Sequence, residues 1–290
     1  MNAVRWLPAH APDLASVVGM LHRLGITGVT DATPDLDGSA VAVLRDEVAP
    51  HLRLTLLGTD TVPGELTAGP RKLLLRDHDL PTYAQLRDLV RTPHDRGRPV
   101  AIHCVTRESL LLTLAVLDEV GVLAGDRIEH AAVVPAGIAD ELARLRLAVV
   151  TQPGFLRVRG DDYIRDVAEG DRTCLYPYRS LEEAGVPVAA SSDAPFGPLD
   201  PWSIIRDVRD RTSLSGTVLS AAESVSADTA LRGYLSPPDA PGSAPRRVAP
   251  GAVADLCLLS EPLAAVLRTP DSSCVRAVFF AGTAVAAGLP

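Results

Sequence analysis

The sequence predicts an α/β fold: a (β/α)8 TIM-type barrel followed by a small C-terminal β appendage. Three observations predict it. From about residue 12 to residue 235, short β-branched or leucine-rich runs alternate with longer helical patterns, as in βα units on a parallel sheet. Runs such as AVVTQ (148–152) are apolar on both faces, which suits strands covered by helices outside and side chains inside. Polar residues close the runs, as His103, His130, Gln152 and Asp193 do, and the carboxyl ends of barrel strands are where active sites form.

Taken in order, seven runs read as strands: GITGVTD (25–31), LRLTLL (52–57), KLLLR (72–76), PVAIHC (99–104), RIEHA (127–131), AVVTQ (148–152) and VPVAASSD (186–193). Between them lie amphipathic stretches such as ESLLLTLAVLDEVG (108–121) and IADELARL (138–145), where apolar residues recur at spacings of three and four. Seven strands leave an eight-stranded barrel incomplete at its N-terminal end. The eighth is expected either in the weak opening VRWLPAH (4–10) or nowhere in the chain. After residue 213 a helix is expected around 220–234. The Pro/Gly/Ser-rich stretch 235–255 then breaks regular structure, and short strands at 254–259, 274–280 and 283–288 form the appendage. This divides the chain into a catalytic barrel over 1–235 and a linker with appendage over 236–290.

Composition narrows the function. The 290 residues carry a net charge of −8 and are 47% hydrophobic, enough for a full core and too apolar for disorder. An acidic balance without a Lys/Arg block argues against nucleic acid and anionic membranes as partners. No apolar run approaches the roughly 20 residues that span a bilayer. Residues 1–20 lack the basic start and compact apolar stretch of a signal peptide, which makes the cytoplasm the expected location. Cys104, Cys174, Cys257 and Cys274 form no C-x-x-C pair, so neither a disulfide framework nor a zinc ribbon is suggested.

Four polar positions fall at or in barrel strands: Lys72, His103, His130 and Asp193. Their separations of 31, 27 and 63 residues equal one, one and about two βα repeats, so all four can meet at one mouth of the barrel. Two imidazoles with carboxylate oxygens suit Zn²⁺, Fe or Mn, and a catalytic site keeps one position open for water. Lys72 is the only lysine in the chain, where every other basic residue is arginine. A stray lysine is the plain alternative. The chemical reading is that an amine is needed, since a neutral buried amine can add CO₂ to form a carbamate, an acid able to hold metal, and a guanidinium cannot. For each histidine alone a hydrogen-bonded core role is the simpler account. Two apolar strands that end in histidine one βα unit apart favour a ligand pair.

Strand alternation puts Cys104 and Glu129 on the faces opposite His103 and His130, so both are set aside as core. His10, His22, His51, His78 and His94 read as surface. Asp193 closes the last strand, where a carboxylate can take a proton from water and pass it to a leaving nitrogen; a turn or cap aspartate is the alternative. Gln152, Arg107 and Phe196, with Arg159 and Tyr163, lie in or near the loops after strands and are candidates for substrate binding.

The stretches PVAIHCVTRES (99–109), DRIEHAAVV (126–134), VVTQPGFL (149–156), YPYRSLEEAGVPVAASSDAPFGPLDPW (176–202) and VAPGAVADLCLL (248–259) resemble the amidohydrolase superfamily, specifically the YtcJ-like, amidohydrolase family 3 metal-dependent hydrolases. The resemblance implies a barrel of that hydrolase kind and hydrolysis of an amide or cyclic amide C–N bond through metal-activated water. It implies one divalent metal, zinc by first expectation, held by a carboxylated lysine and two histidines, which maps onto Lys72, His103 and His130. The last-strand aspartate of the family, which acts on the water and is counted here with the metal ligands as well, maps onto Asp193. The sequence departs from the family in having no H-x-H strand, the same gap as the missing barrel strand. Two expectations follow: a portion of a longer enzyme, or a degenerate member that binds a small molecule without catalysis. An incomplete barrel exposes strand edges, for which a homo-oligomer is the expected cover.

Overall fold

All seven expected strands form in the computed structural model, which describes residues 13–64 and 66–287. They are β1 (Gly28–Asp31), β2 (Arg53–Leu56), β4 (Arg71–Leu73), β5 (Val100–Cys104), β6 (Arg127–His130), β7 (Ala148–Thr151) and β8 (Val188–Ala190); a two-residue β3 (Thr67–Ala68) is added beside β2. Parallel pairings give two sheets, β1-β2-β3 and β4-β5-β6-β7-β8. The backbone joins them, because Lys72 N–H donates to Leu57 O at 3.0 Å and Leu57 N–H donates to Asp31 O at 3.0 Å. The result is an arc of seven principal strands. Among the described residues no strand pairs with the outer sides of β1 and β8. The expected strand at 4–10 lies outside the described residues.

Helices α1 (Leu14–Arg23), α2 (Gly38–Val43), α3 (Tyr83–His94), α4 (Arg107–Val120), α5 (Ile138–Arg144), α6 (Gly154–Asp166), α7 (Glu169–Arg172), α8 (Arg179–Glu183), α9 (Pro201–Asp210), α10 (Ala227–Tyr234) and α11 (Leu263–Val266) complete the βα pattern and its tail. Local chemistry sets their starts. Thr82 with Gln85 and Thr106 with Ser109 form capping boxes on α3 and α4, and Asp200 caps α9 ahead of Pro201. The helix expected over 220–234 begins only at Ala227, where Ser226 accepts from Thr229 N–H. The largest core cluster fills the layer between β4–β8 and helices that include α3, α4 and α9, with Ile102, Leu117, Ile128, Val149 and Ile204 fully buried. A second cluster packs α1 and α2 on β2.

Strands β9 (Leu256–Leu259), β10 (Val275–Phe280) and β11 (Thr283–Ala287) make the antiparallel appendage. α1 packs against β10 and β11, and Arg53 of β2 binds Asp255 with both oxygens, at 2.9 and 3.4 Å. The stretch read as a linker is partly docked: Arg127 donates to Pro238 O at 3.2 Å. Gly242, at φ +76°, approaches β8 so closely that a Cβ there would lie 2.2 Å from Val188 N.

Candidate functional site

Parallel register stacks the interior in levels. Lys72, Ala101, Arg127 and Ala148 are neighbours on one level; His103, Glu129, Val150 and Ala189 are neighbours on the level nearer the carboxyl ends. The alanines flanking Lys72 and Arg127 leave room for long side chains. Cys104 points the other way, buried against α4 with Sγ 3.4 Å from Thr113 Oγ1. Burial pushes its thiol up to about 12, so it stays an unreactive core group.

Alternation alone would also send His130 outward. It does not, because His130 and Ala131 adopt φ of +73° and +45°, a left-handed turn that brings the ring beside His103, centroid to centroid 4.3 Å with the planes 73° apart. Glu129, set aside on period-two reasoning, therefore stands next to both histidines. It is 5% exposed and accepts from Arg127 Nε at 2.7 Å. Burial raises the Glu129 carboxyl, but Arg127, Lys72 and His130 together outweigh that effect and hold it below the usual range.

Both imidazoles are neutral at neutral pH. Burial, then the Lys72 charge, lowers His103 to about 4. Burial, then His103 and Lys72, lowers His130 to about 3. His130 Nδ1 lies 2.6 Å from Gln152 Oε1, while Gln152 Nε2 donates to Ser191 Oγ at 2.9 Å and Val150 O at 3.2 Å. With the amide nitrogen so engaged, Oε1 is an acceptor, which assigns the proton to Nδ1 and leaves the Nε2 lone pair available.

Lys72 is 6% exposed and its amine forms no hydrogen bond or ion pair among the described residues. Asp193 follows β8 at φ +50°, and its carbonyl accepts from Phe196 N–H at 2.9 Å. Burial raises its carboxyl above the ordinary value, against the lowering effect of Lys72. The structure thus brings Lys72, His103, His130 and Asp193 to one mouth of the arc.

The other expected residues separate. Gln152 is buried in the network above; Phe196 is 66% exposed at the rim; Arg107 is ion-paired with Asp171. Sequence reasoning missed Asp77, which accepts from Thr106 Oγ1 at 2.6 Å and electrostatically favours protonated His103. The R-D-H-D run just past Lys72 was its only signal. Beyond the histidines, Phe155 and Tyr163 lie with ring centroids 6.0 and 5.9 Å from that of Tyr176, and the two tyrosine hydroxyls are 3.0 Å apart. Two histidines read as surface are in fact engaged: His22 is buried with Nε2 3.0 Å from His51 O, and His94 Nε2 is 3.0 Å from Asp126 Oδ1.

No group of three or more His, Cys, Asp or Glu among the described residues is arranged to hold a metal. Two imidazoles at this mouth have nitrogen free to bind an ion: His130 at Nε2, and His103, whose ring has no hydrogen-bond partner among the described residues; the Lys72 amine beside them is likewise unpaired.

Comparison with known proteins agrees with this architecture. The N-substituted formamide deformylase of Arthrobacter pascens is 34% identical over 118 residues, 40% of this chain and 22% of that protein. The Bacillus subtilis (strain 168) amidohydrolase YtcJ is 26% identical over 126 residues, 43% of this chain and 23% of that protein. The matched segments thus span less than a quarter of either relative. A crystal structure of an uncharacterised metal-dependent hydrolase from Pyrococcus horikoshii OT3 superposes with a TM-score of 0.62 at 21% identity, covering 74% of this chain and 51% of that one. The family model described as amidohydrolase family matches residues 48–286, and the chain belongs to that family.

Proposed function

We propose that this chain belongs to a metal-dependent hydrolase that cleaves an amide or cyclic amide C–N bond and carries metal-binding residues of its site. The observation that carries the reading is the contact pair of neutral imidazoles, His103 and His130, at the mouth that also holds Lys72 and Asp193. A divalent ion, zinc or alternatively iron or manganese, supplies a Lewis acid and lowers the pKa of water toward ~7. Gln152 keeps His130 in the Nδ1–H tautomer. Lys72, once carboxylated, contributes an oxygen donor in place of a charge that would repel the ion. Asp193 accepts the proton of the attacking water and returns it to the departing nitrogen, a role suited to a carboxyl raised above its ordinary value.

The formamide deformylase relative makes N-substituted formamides the first substrates to assay. Metal content tests the site itself. Wild type and Cys104→Ala should hold about one ion per chain, whereas His103→Ala and His130→Ala should hold close to none. Equal metal in all four proteins rejects the ligand assignment. The absence of an H-x-H pair from the sequence favours a second reading, a non-catalytic binding shell, which predicts negligible metal in the wild type as well.

A further inference from the structure

We infer that Arg159 is a recognition site for a substrate carboxylate, so that the preferred substrates are amides or cyclic amides bearing a free carboxylate. The inference deepens the hydrolase reading and rests on it for the role of the ligand. Phe155 and Arg159 are four residues apart on α6, hence on one helix face, and the guanidinium carbon lies 4.9 Å over the Phe155 ring. Phe155 N–H donates to Gln152 O at 3.1 Å, and Gln152 binds His130. Phe155 thus follows directly on the loop whose Gln152 orients His130, and Arg159 lies one helical turn further along α6. On the other side, Arg159 Nη2 reaches Phe196 O at 3.5 Å, in the turn that begins at Asp193. Gly154 packs α6 onto that loop, where a Cβ would lie 2.7 Å from Pro198 Cγ. Arg159 is thus fixed between the two loops that carry Gln152 and Asp193.

No carboxylate among the described residues stands within ion-pair distance of Arg159, and Asp193 feels its charge only from farther off. Arg159 forms no ion pair among the described residues and is exposed, whereas Arg107 at the same end is committed to Asp171 and Arg157 donates to Ser213 O. The contact with the ring leaves most of the guanidinium's five N–H donors unused. A planar fork of this kind matches a carboxylate with two parallel hydrogen bonds. One arginine neutralises one negative charge. A phosphate dianion would leave a second charge near Asp193, whose carboxyl already interacts with Arg159, so the charge balance favours a monoanion.

The test compares N-benzoylglycine with its neutral amide, N-benzoylglycinamide, by titration calorimetry on the purified full chain, with hydrolysis of N-benzylformamide followed in parallel. Wild type should bind the carboxylate about tenfold or more tighter than the amide. Arg159→Met should abolish the difference, Arg159→Lys should keep part of it, and Arg165→Ala, on the same helix, should leave it unchanged. An equal carboxylate-to-amide ratio in wild type and Arg159→Met, or no binding of either probe, overturns the inference. A wild type that shows no anion preference yet turns over N-benzylformamide sinks the inference alone; a wild type that shows anion preference yet hydrolyses neither N-benzoylglycine nor N-benzylformamide sinks the hydrolase reading alone.

Discussion

At the scale of single residues, the site is held in a state that water would not choose. His103 and His130 are kept neutral by burial and by Lys72, at about 4 and about 3. In the unfolded chain both titrate near ~6.5, so below that pH the unfolded state binds protons the native state refuses. Stability is therefore complete above pH ~6.5 and declines as pH falls toward 4 and then 3, by up to about 1.4 kcal/mol per pH unit per histidine. Thermal melts between pH 7.5 and 4.5 should show this decline, and His130→Gln should flatten it. An unchanged slope in that variant would mean the ring is not buried neutral. Asp207 works in the opposite sense. Burial raises it to about 6, with Arg206 no nearer than 3.8 Å. The native state thus holds a proton that the unfolded chain releases near ~3.8, and stability is lost as pH rises from about 4 through 6. Asp207→Asn should raise Tm at pH 7.5 and change it little at pH 3.5.

At the scale of elements, β6 concentrates the burden. Arg127, Glu129 and His130 are all buried on one four-residue strand, and the Arg127–Glu129 pair is 3% and 5% exposed. Removing one member of a buried pair leaves the other uncompensated, so Arg127→Met should cost about 3–5 kcal/mol by urea unfolding. Adding Glu129→Leu to that variant should recover much of the loss, and strict additivity of the two substitutions would deny the coupling.

The same strand shows where sequence reading succeeds and stops. β5, β6 and β7 were legible because Val100–Ile102, Ile128 and Val149–Val150 form apolar runs ending in polar residues. The inward turn of His130 was not, since a positive φ breaks the period-two rule on which Glu129 was dismissed. β3 is two residues long and carries no pattern, and the late start of α10 follows from Ser226 acting as cap rather than as helix interior.

At the scale of the whole molecule, the arc has two ends, and side chains rather than ladder hydrogen bonds tie them together. The family-specific positions were readable from their spacing along the chain, but the manner in which β1 and β8 are joined was not, because it depends on α9. Trp202, on the first turn of that helix, donates Nε1–H to Leu24 O at 3.1 Å, four residues before β1. Leu199, just ahead of α9, packs on the α1–α2–β2 cluster. This contact carries little energy compared with the β4–β8 core, so the β1–β2 end should open first. Trp202→Phe keeps most of the buried ring and removes the hydrogen bond, at an expected cost of about 1 kcal/mol. Hydrogen exchange should then quicken in β1 and in residues 21–27 while β5, β6 and β7 retain wild-type protection, because sub-global opening spends only the contacts of the unit that opens. Uniform quickening across all strands would instead show one cooperative unit, with the tryptophan part of the common core.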